Sequence, residues 1–163
     1  VESVASKFQA AKRGQVDWEA RGLEHRVDCL RRFRQLLGDH RQELSEITSA
    51  EMGKPRHQAE GEIAATLPRI DYFLDHTEEA IADRTTRQAS EDSGFTQEVL
   101  RFEPLGVVAN ISAWNFPYFV GSNVWVPALL TGNAVLYKPS EWASLTGHRV
   151  MELMHQAGVP KEV

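Results

Sequence analysis

The sequence predicts an α/β chain in which helices come first and the opening βαβα portion of a parallel sheet comes last. Three observations predict it. Apolar residues recur at helical spacing through the first half, the texture turns polar and turn-rich near Thr85, and two short, almost continuously apolar runs then alternate with helical segments.

Within HRVDCLRRFRQLLGDH, Val27, Leu30, Phe33 and Leu37 fall on one helical stripe, which Leu36 widens while charges occupy the opposite side. Arg31, Arg32 and Arg34 on that segment read as a solvated face. A second helix runs through RQELSEITSAEM and stops at Gly53, where the missing side chain tolerates a left-handed turn. A third uses Pro55 near its first turn and extends to Asp83, with Pro68 expected to kink it by removing one ladder bond. TTRQASEDSGFTQ reads as an exposed connector or hairpin, and EVLRFEP, with Val99, Leu100 and Phe102, as a strand.

The runs at 106–112 (GVVANIS) and 133–139 (NAVLYKP) read as buried strands. FVGSNVWVPALLTG forms the helix between them, and SLTGHRVMELMHQAG the helix after, stopped by Gly158 and Pro160. Right-handed crossover places both strand ends on one rim of the sheet, where open α/β sheets bind ligands. The expected division is 1–84 helical, 85–104 connector with a strand, and 105–163 the first half of a nucleotide-binding domain.

Composition narrows the function. With 163 residues, 42% hydrophobic and 25% charged, the chain has the make-up of a soluble globular protein able to hide roughly two-thirds of its unfolded surface. A formal net charge of -5 and the lack of a basic stripe disfavour nucleic acid. A single cysteine, Cys29, excludes an internal disulfide and reads as a buried, inert thiol. The six histidines show no metal-ligand spacing, so no metal is expected. No apolar run reaches the ~18 residues of a membrane span, and a cytoplasmic location is expected.

Candidate chemistry lies in the two loops beyond the strand ends. Asn115, in ISAWNFP, offers two N–H donors suited to a developing oxyanion; it is equally readable as a helix N-cap or turn residue. Trp114 and Phe116 read as core or pocket wall, and Pro117 as a stiffener of the turn. Lys138 and Glu141, three residues apart in KPSE, could together grip the hydroxyls of a ribose, or simply form a surface ion pair. Ser140 could cap the following helix. No GxGxxG turn occurs.

EPLGVVANISAWNFP, then ALLTGNAV and LYKPSE, with EMGKP and the acidic EGEI segment upstream, strongly resembles the aldehyde dehydrogenase superfamily over essentially the whole chain. The resemblance implies the amino-terminal helices and first half of a Rossmann-like domain, within an enzyme that oxidises an aldehyde to a carboxylic acid through a cysteine thiohemiacetal and thioester. It makes Asn115 an oxyanion donor, and Ile111, Ser112, Ala113 and Trp114 the strand-end lining of the cofactor cleft. Lys138 and Glu141 become ribose contacts, with Ser140 between them. The implied cofactor is NAD, favoured over NADP because a carboxylate at Glu141 would repel a 2′-phosphate. Phe119 and Val120 fall where the substrate tunnel would begin.

The family's nucleophilic cysteine and its glutamate base lie downstream of these blocks, so the catalytic domain is expected to be absent and this chain alone inactive. The parent enzyme is expected to be a homodimer or homotetramer acting on a small aldehyde. Two other readings stay open: a non-catalytic nucleotide-binding module, and an interaction piece whose sheet edge seeks a partner.

Overall fold

The computed structural model describes residues 3–88 and 97–163. Four helices open the chain: α1 (Val4–Ala20), α2 (Gly22–Asp39), α3 (Arg41–Met52) and α4 (Arg56–Ile81). A two-stranded antiparallel ribbon follows, β1 (Arg84–Arg87) with β2 (Glu98–Leu100), exposed along its length. Then come β3 (Val107–Ile111), α5 (Phe119–Leu130), β4 (Ala134–Lys138), a short 3-10 turn (Glu141–Ala143) and α6 (Ser144–Gln156). Part of the expected connector, 89–96, lies outside the described residues.

The stripe on α2 is buried as its spacing predicts: Leu30, Phe33 and Leu37 are fully covered, and Val27 and Leu36 pack at the margin. They meet Ile63 and Ile70 of α4, Val126 and Leu130 of α5, and Leu153 of α6 in one core. Phe33 stands edge-on to Trp125, ring centroids 5.5 Å apart, a favoured aromatic geometry. α3 ends at Gly53, whose φ of 72° is the left-handed turn that glycine adopts without a side-chain clash. Pro55 is the residue preceding α4, and the helix runs on through Pro68.

Two readings need correction. Arg31 and Arg32 are exposed, as a solvated face requires, but Arg34 is only half-exposed and both Arg32 and Arg34 are tied to other elements. Arg34 forms a two-pronged pair with Asp71 of α4 at 2.8 and 2.9 Å, and Arg32 donates to the carbonyl of Ala157 just past α6 at 2.8 Å. Long cationic stems reach neighbouring helices that a single-helix projection leaves out; Arg31 pairs instead with Asp28 of its own helix. The strands, in turn, are not buried throughout: Ile111 is 79% exposed and much of β4 only half-covered.

β3 and β4 pair in parallel, Val107 opposite Ala134 and Ile111 opposite Lys138. Asn133 pins this register at the opening of the pair. Its side-chain oxygen accepts the N–H of Gly106 at 2.9 Å, while Ala134 donates its N–H to the Gly106 carbonyl at 2.9 Å. A one-residue slip would turn every strand side chain to the other face. With one end pinned, the strand ends at Ile111 and Lys138 lie level.

Candidate functional site

The level strand ends set the site. Ile111 and Lys138 share a rung, and Ser112 donates its N–H to the Lys138 carbonyl at 3.0 Å, so both loops leave the sheet on one rim. Ala113, Trp114, Asn115 and Phe116 are exposed there, as are Lys138 and Glu141. Trp114 and Phe116 are thus not core residues, whereas Ser112 and Ser140 turn inward and are buried. Trp114 meets Trp142, from beyond the second loop, and Met52 around a recess of about 210 Å³, so the two loops face each other across it. A larger depression of about 550 Å³ lies away from this recess, between α1, β4 and α6.

Asn115 occupies the bend before α5 and does not cap that helix. Its side-chain amide takes no hydrogen-bond partner among the described residues, which leaves both N–H donors free for a ligand. Lys138 and Glu141 form an exposed ion pair at 3.2 Å. The main-chain N–H of Glu141 itself, followed by the Lys138 ammonium, holds the Glu141 carboxyl below the usual carboxylate range. An ionised carboxylate and an ammonium this exposed can exchange each other for hydroxyl groups at little cost. The Ser140 hydroxyl accepts the N–H of Trp142 at 3.2 Å and so caps the 3-10 turn. Phe119 is the first residue of α5 and half-buried, and Val120 is exposed beside it.

Three residues supporting these loops escaped sequence reasoning: Glu51, Lys54 and Glu62. Glu62, fully buried, accepts the N–H groups of Tyr118 and Phe119 at 2.8 and 3.1 Å, and thereby caps α5. Lys54 pairs with Glu62 and donates to the Asn115 carbonyl at 2.8 Å. Glu51 accepts from Leu145 and Thr146 at the start of α6. The only signal for them was their membership of the EMGKP and EGEI blocks, because nothing in local spacing connects an α3–α4 carboxylate with a helix more than fifty residues away.

Cys29 is fully buried, and burial pushes its thiol above the ordinary cysteine value against the pull of Arg32. A protonated, covered thiol is a poor nucleophile. Among the described residues, no helix is long and apolar enough to cross a membrane.

Comparison with known proteins places the chain in a family. The sequence model of the aldehyde dehydrogenase family matches residues 1–163. An N-succinylglutamate 5-semialdehyde dehydrogenase of Chromobacterium violaceum is 37% identical over 160 residues, covering 98% of this chain and 32% of that protein. A putative succinate-semialdehyde dehydrogenase [NADP(+)] of Mycobacterium ulcerans is 31% identical over 160 residues, covering 98% of this chain and 30% of its own length. Among solved structures, an NADP-dependent glyceraldehyde-3-phosphate dehydrogenase from Bacillus halodurans, complexed with NADP, superposes with a TM-score of 0.86 at 31% identity, over 96% of this chain and 33% of that one. A putative methylmalonate-semialdehyde dehydrogenase from Sinorhizobium meliloti, complexed with NAD, gives 0.88 at 30% identity, over 98% and 32%. The chain therefore spans about a third of the length of the relatives it matches. With the match running from first residue to last and the fold following the same path, this chain belongs to the aldehyde dehydrogenase family.

Proposed function

We propose that this chain is the amino-terminal third of an NAD(P)-dependent enzyme that converts an aldehyde and water to a carboxylic acid, delivering a hydride to the nicotinamide and a proton to solvent. The observation that carries the reading is the parallel register of Ile111 with Lys138, which brings an unengaged amide donor and a lysine–glutamate pair to one rim.

Asn115 would direct its N–H groups at the substrate oxygen as negative charge develops on it. A neutral amide stabilises that charge without giving up a proton. Lys138 and Glu141 would bind the ribose hydroxyls of the nucleotide, the ammonium donating and the carboxylate accepting. Ile111, Ala113 and Trp114 of the strand-end segment would line the same cleft, while the buried Ser112 holds that segment to β4. These residues fit a nicotinamide nucleotide in charge, exposure and position. Bound there, the nucleotide supplies the hydride acceptor. The negative charge kept on Glu141 opposes a 2′-phosphate, which favours NAD over NADP. Cys29, buried in the helical region, does not serve as the nucleophile; that thiolate must come from elsewhere in a full-length enzyme.

The test is turnover. Expressed at the length of its relatives, the enzyme is expected to form NADH with an aldehyde panel that includes N-succinylglutamate 5-semialdehyde and succinate semialdehyde, whereas the 163-residue chain is not. Asn115→Ala is expected to lower kcat by about 10²- to 10³-fold. No NADH formation with any aldehyde would overturn the reading, and an undiminished kcat in Asn115→Ala would remove the oxyanion role.

A further inference from the structure

We infer that Lys54 and Glu62 are positioning residues for Asn115, holding its peptide in place so that the side-chain amide is aimed before charge develops; the inference rests on the oxyanion role proposed above. The two side chains are 10% and 0% exposed and meet at 2.5 Å. Each does a second job. The Glu62 carboxylate uses its other oxygen on the N–H groups of Tyr118 and Phe119, where the positive end of α5 favours a negative charge. The Lys54 ammonium donates to the main-chain carbonyl of Asn115 at 2.8 Å and lies 4.1 Å from the centre of the Phe116 ring, a cation–π contact.

The bend containing Asn115 is thus held at three points. Ser112 is tied to β4 at one end, Tyr118 and Phe119 to Glu62 at the other, and Asn115 itself to Lys54 between them. The outer face of the bend is exposed, so without the inner anchor little would fix its path. Clamping the Asn115 carbonyl fixes the main chain on the carboxyl side of its Cα and so narrows the directions its side chain can take. An oxyanion donor works by being in place beforehand, and a displacement near 1 Å is enough to cost a large factor in rate. Lys54 never touches the reacting atoms; it acts through Asn115.

The test is a double-mutant cycle in the enzyme at the length of its relatives. Lys54→Met is expected to lower kcat by about 10- to 100-fold and leave KM for the nicotinamide nucleotide unchanged. In an Asn115→Ala background the same substitution is expected to cost nothing further, because residues acting through one group are not additive. Lys54→Arg should recover part of the loss. A lone buried carboxylate could unfold Lys54→Met, so Lys54→Met/Glu62→Gln, which leaves no unpaired charge and keeps an oxygen for the α5 amides, carries the same comparisons. Retention of kcat in these variants, or an equal loss with and without Asn115, overturns the inference while the oxyanion role stands. Full activity in Asn115→Ala alone would overturn both.

Discussion

Glu51 and Thr146 lie 95 positions apart, yet the carboxylate of the first accepts the main-chain N–H of the second at 2.7 Å and that of Leu145 at 2.6 Å. These are among the first N–H groups of α6, which have no partner inside the helix, and a negative charge there also meets the positive end of the helix dipole. Glu51→Ala is expected to destabilise the protein by about 1–2 kcal/mol, and Glu51→Gln by less, since the amide oxygen still accepts. Urea unfolding measures both, and equal stability of all three proteins would show that water replaces the cap without loss.

Gly147 sits one residue further along α6, against Pro139 of the KPSE loop. A methyl group at this position would lie 2.5 Å from the proline Cβ and 2.7 Å from its Cγ. The ring is rigid and part of the turn that carries Lys138 and Glu141. Alanine ordinarily improves a helix interior by about 1 kcal/mol, but overpacking here is expected to outweigh it, for a net loss of roughly 1–2 kcal/mol. In the longer enzyme the same change should raise KM for the nucleotide. A more stable Gly147→Ala protein would mean that the loop yields freely.

The parts of this fold legible in the sequence are those whose cause is local. Leu30, Phe33 and Leu37 announce α2 by spacing, Gly53 marks the end of α3, and the short apolar runs at 106–112 and 133–139 contain the strands at 107–111 and 134–138. α1 went unread as a separate element because its buried residues are Ala11, Gln15 and Trp18, a mixture with no apolar stripe. The strand ends and their loops followed from topology alone. The anchors beneath them did not: Lys54 reaches a carbonyl 61 positions away, and Arg32 one 125 positions away. Such partners are fixed by how helices pack, and one sequence holds no periodic trace of that.

Tyr118 connects the site loop to alkaline stability. Its ring is fully buried, and its hydroxyl donates to the Leu44 carbonyl at 3.0 Å beside Thr48. Burial raises its phenol well above the ordinary value, opposed in part by the Thr48 hydroxyl, and burial likewise pushes Tyr137 up to about 12. Between the ordinary phenol value near 10 and these raised values the unfolded chain releases protons that the folded one keeps. Stability is therefore whole below pH ~10 and falls as pH rises past it. Tyr118→Phe is expected to lose about 1–3 kcal/mol at neutral pH through the broken hydrogen bond, yet to decline less steeply between pH 9 and 11. Parallel declines for the two proteins would separate Tyr118 from the alkaline loss.

Arg26 and Trp18 make a contrast at the far end of α5. Both donate to its last carbonyls, Arg26 to Leu130 and Trp18 to Leu129, each at 2.9 Å. The Leu129 carbonyl keeps a second donor, the N–H of Gly132 at 3.1 Å, so Trp18→Phe is expected to cost only about 1 kcal/mol. Arg26 also holds the Glu19 carbonyl at 2.9 Å and places a cation at the negative end of the helix. Arg26→Met strands the buried Leu130 carbonyl, while the Glu19 carbonyl keeps the N–H of Arg21, and is expected to cost about 2–3 kcal/mol, with Arg26→Lys between, since one ammonium cannot reproduce the guanidinium fork. Thermal unfolding of the three variants orders them. Were Trp18→Phe the most damaging, the indole's packing rather than the carbonyl caps would govern how α1 and α2 hold the sheet, and the ranking argued from donors would be wrong.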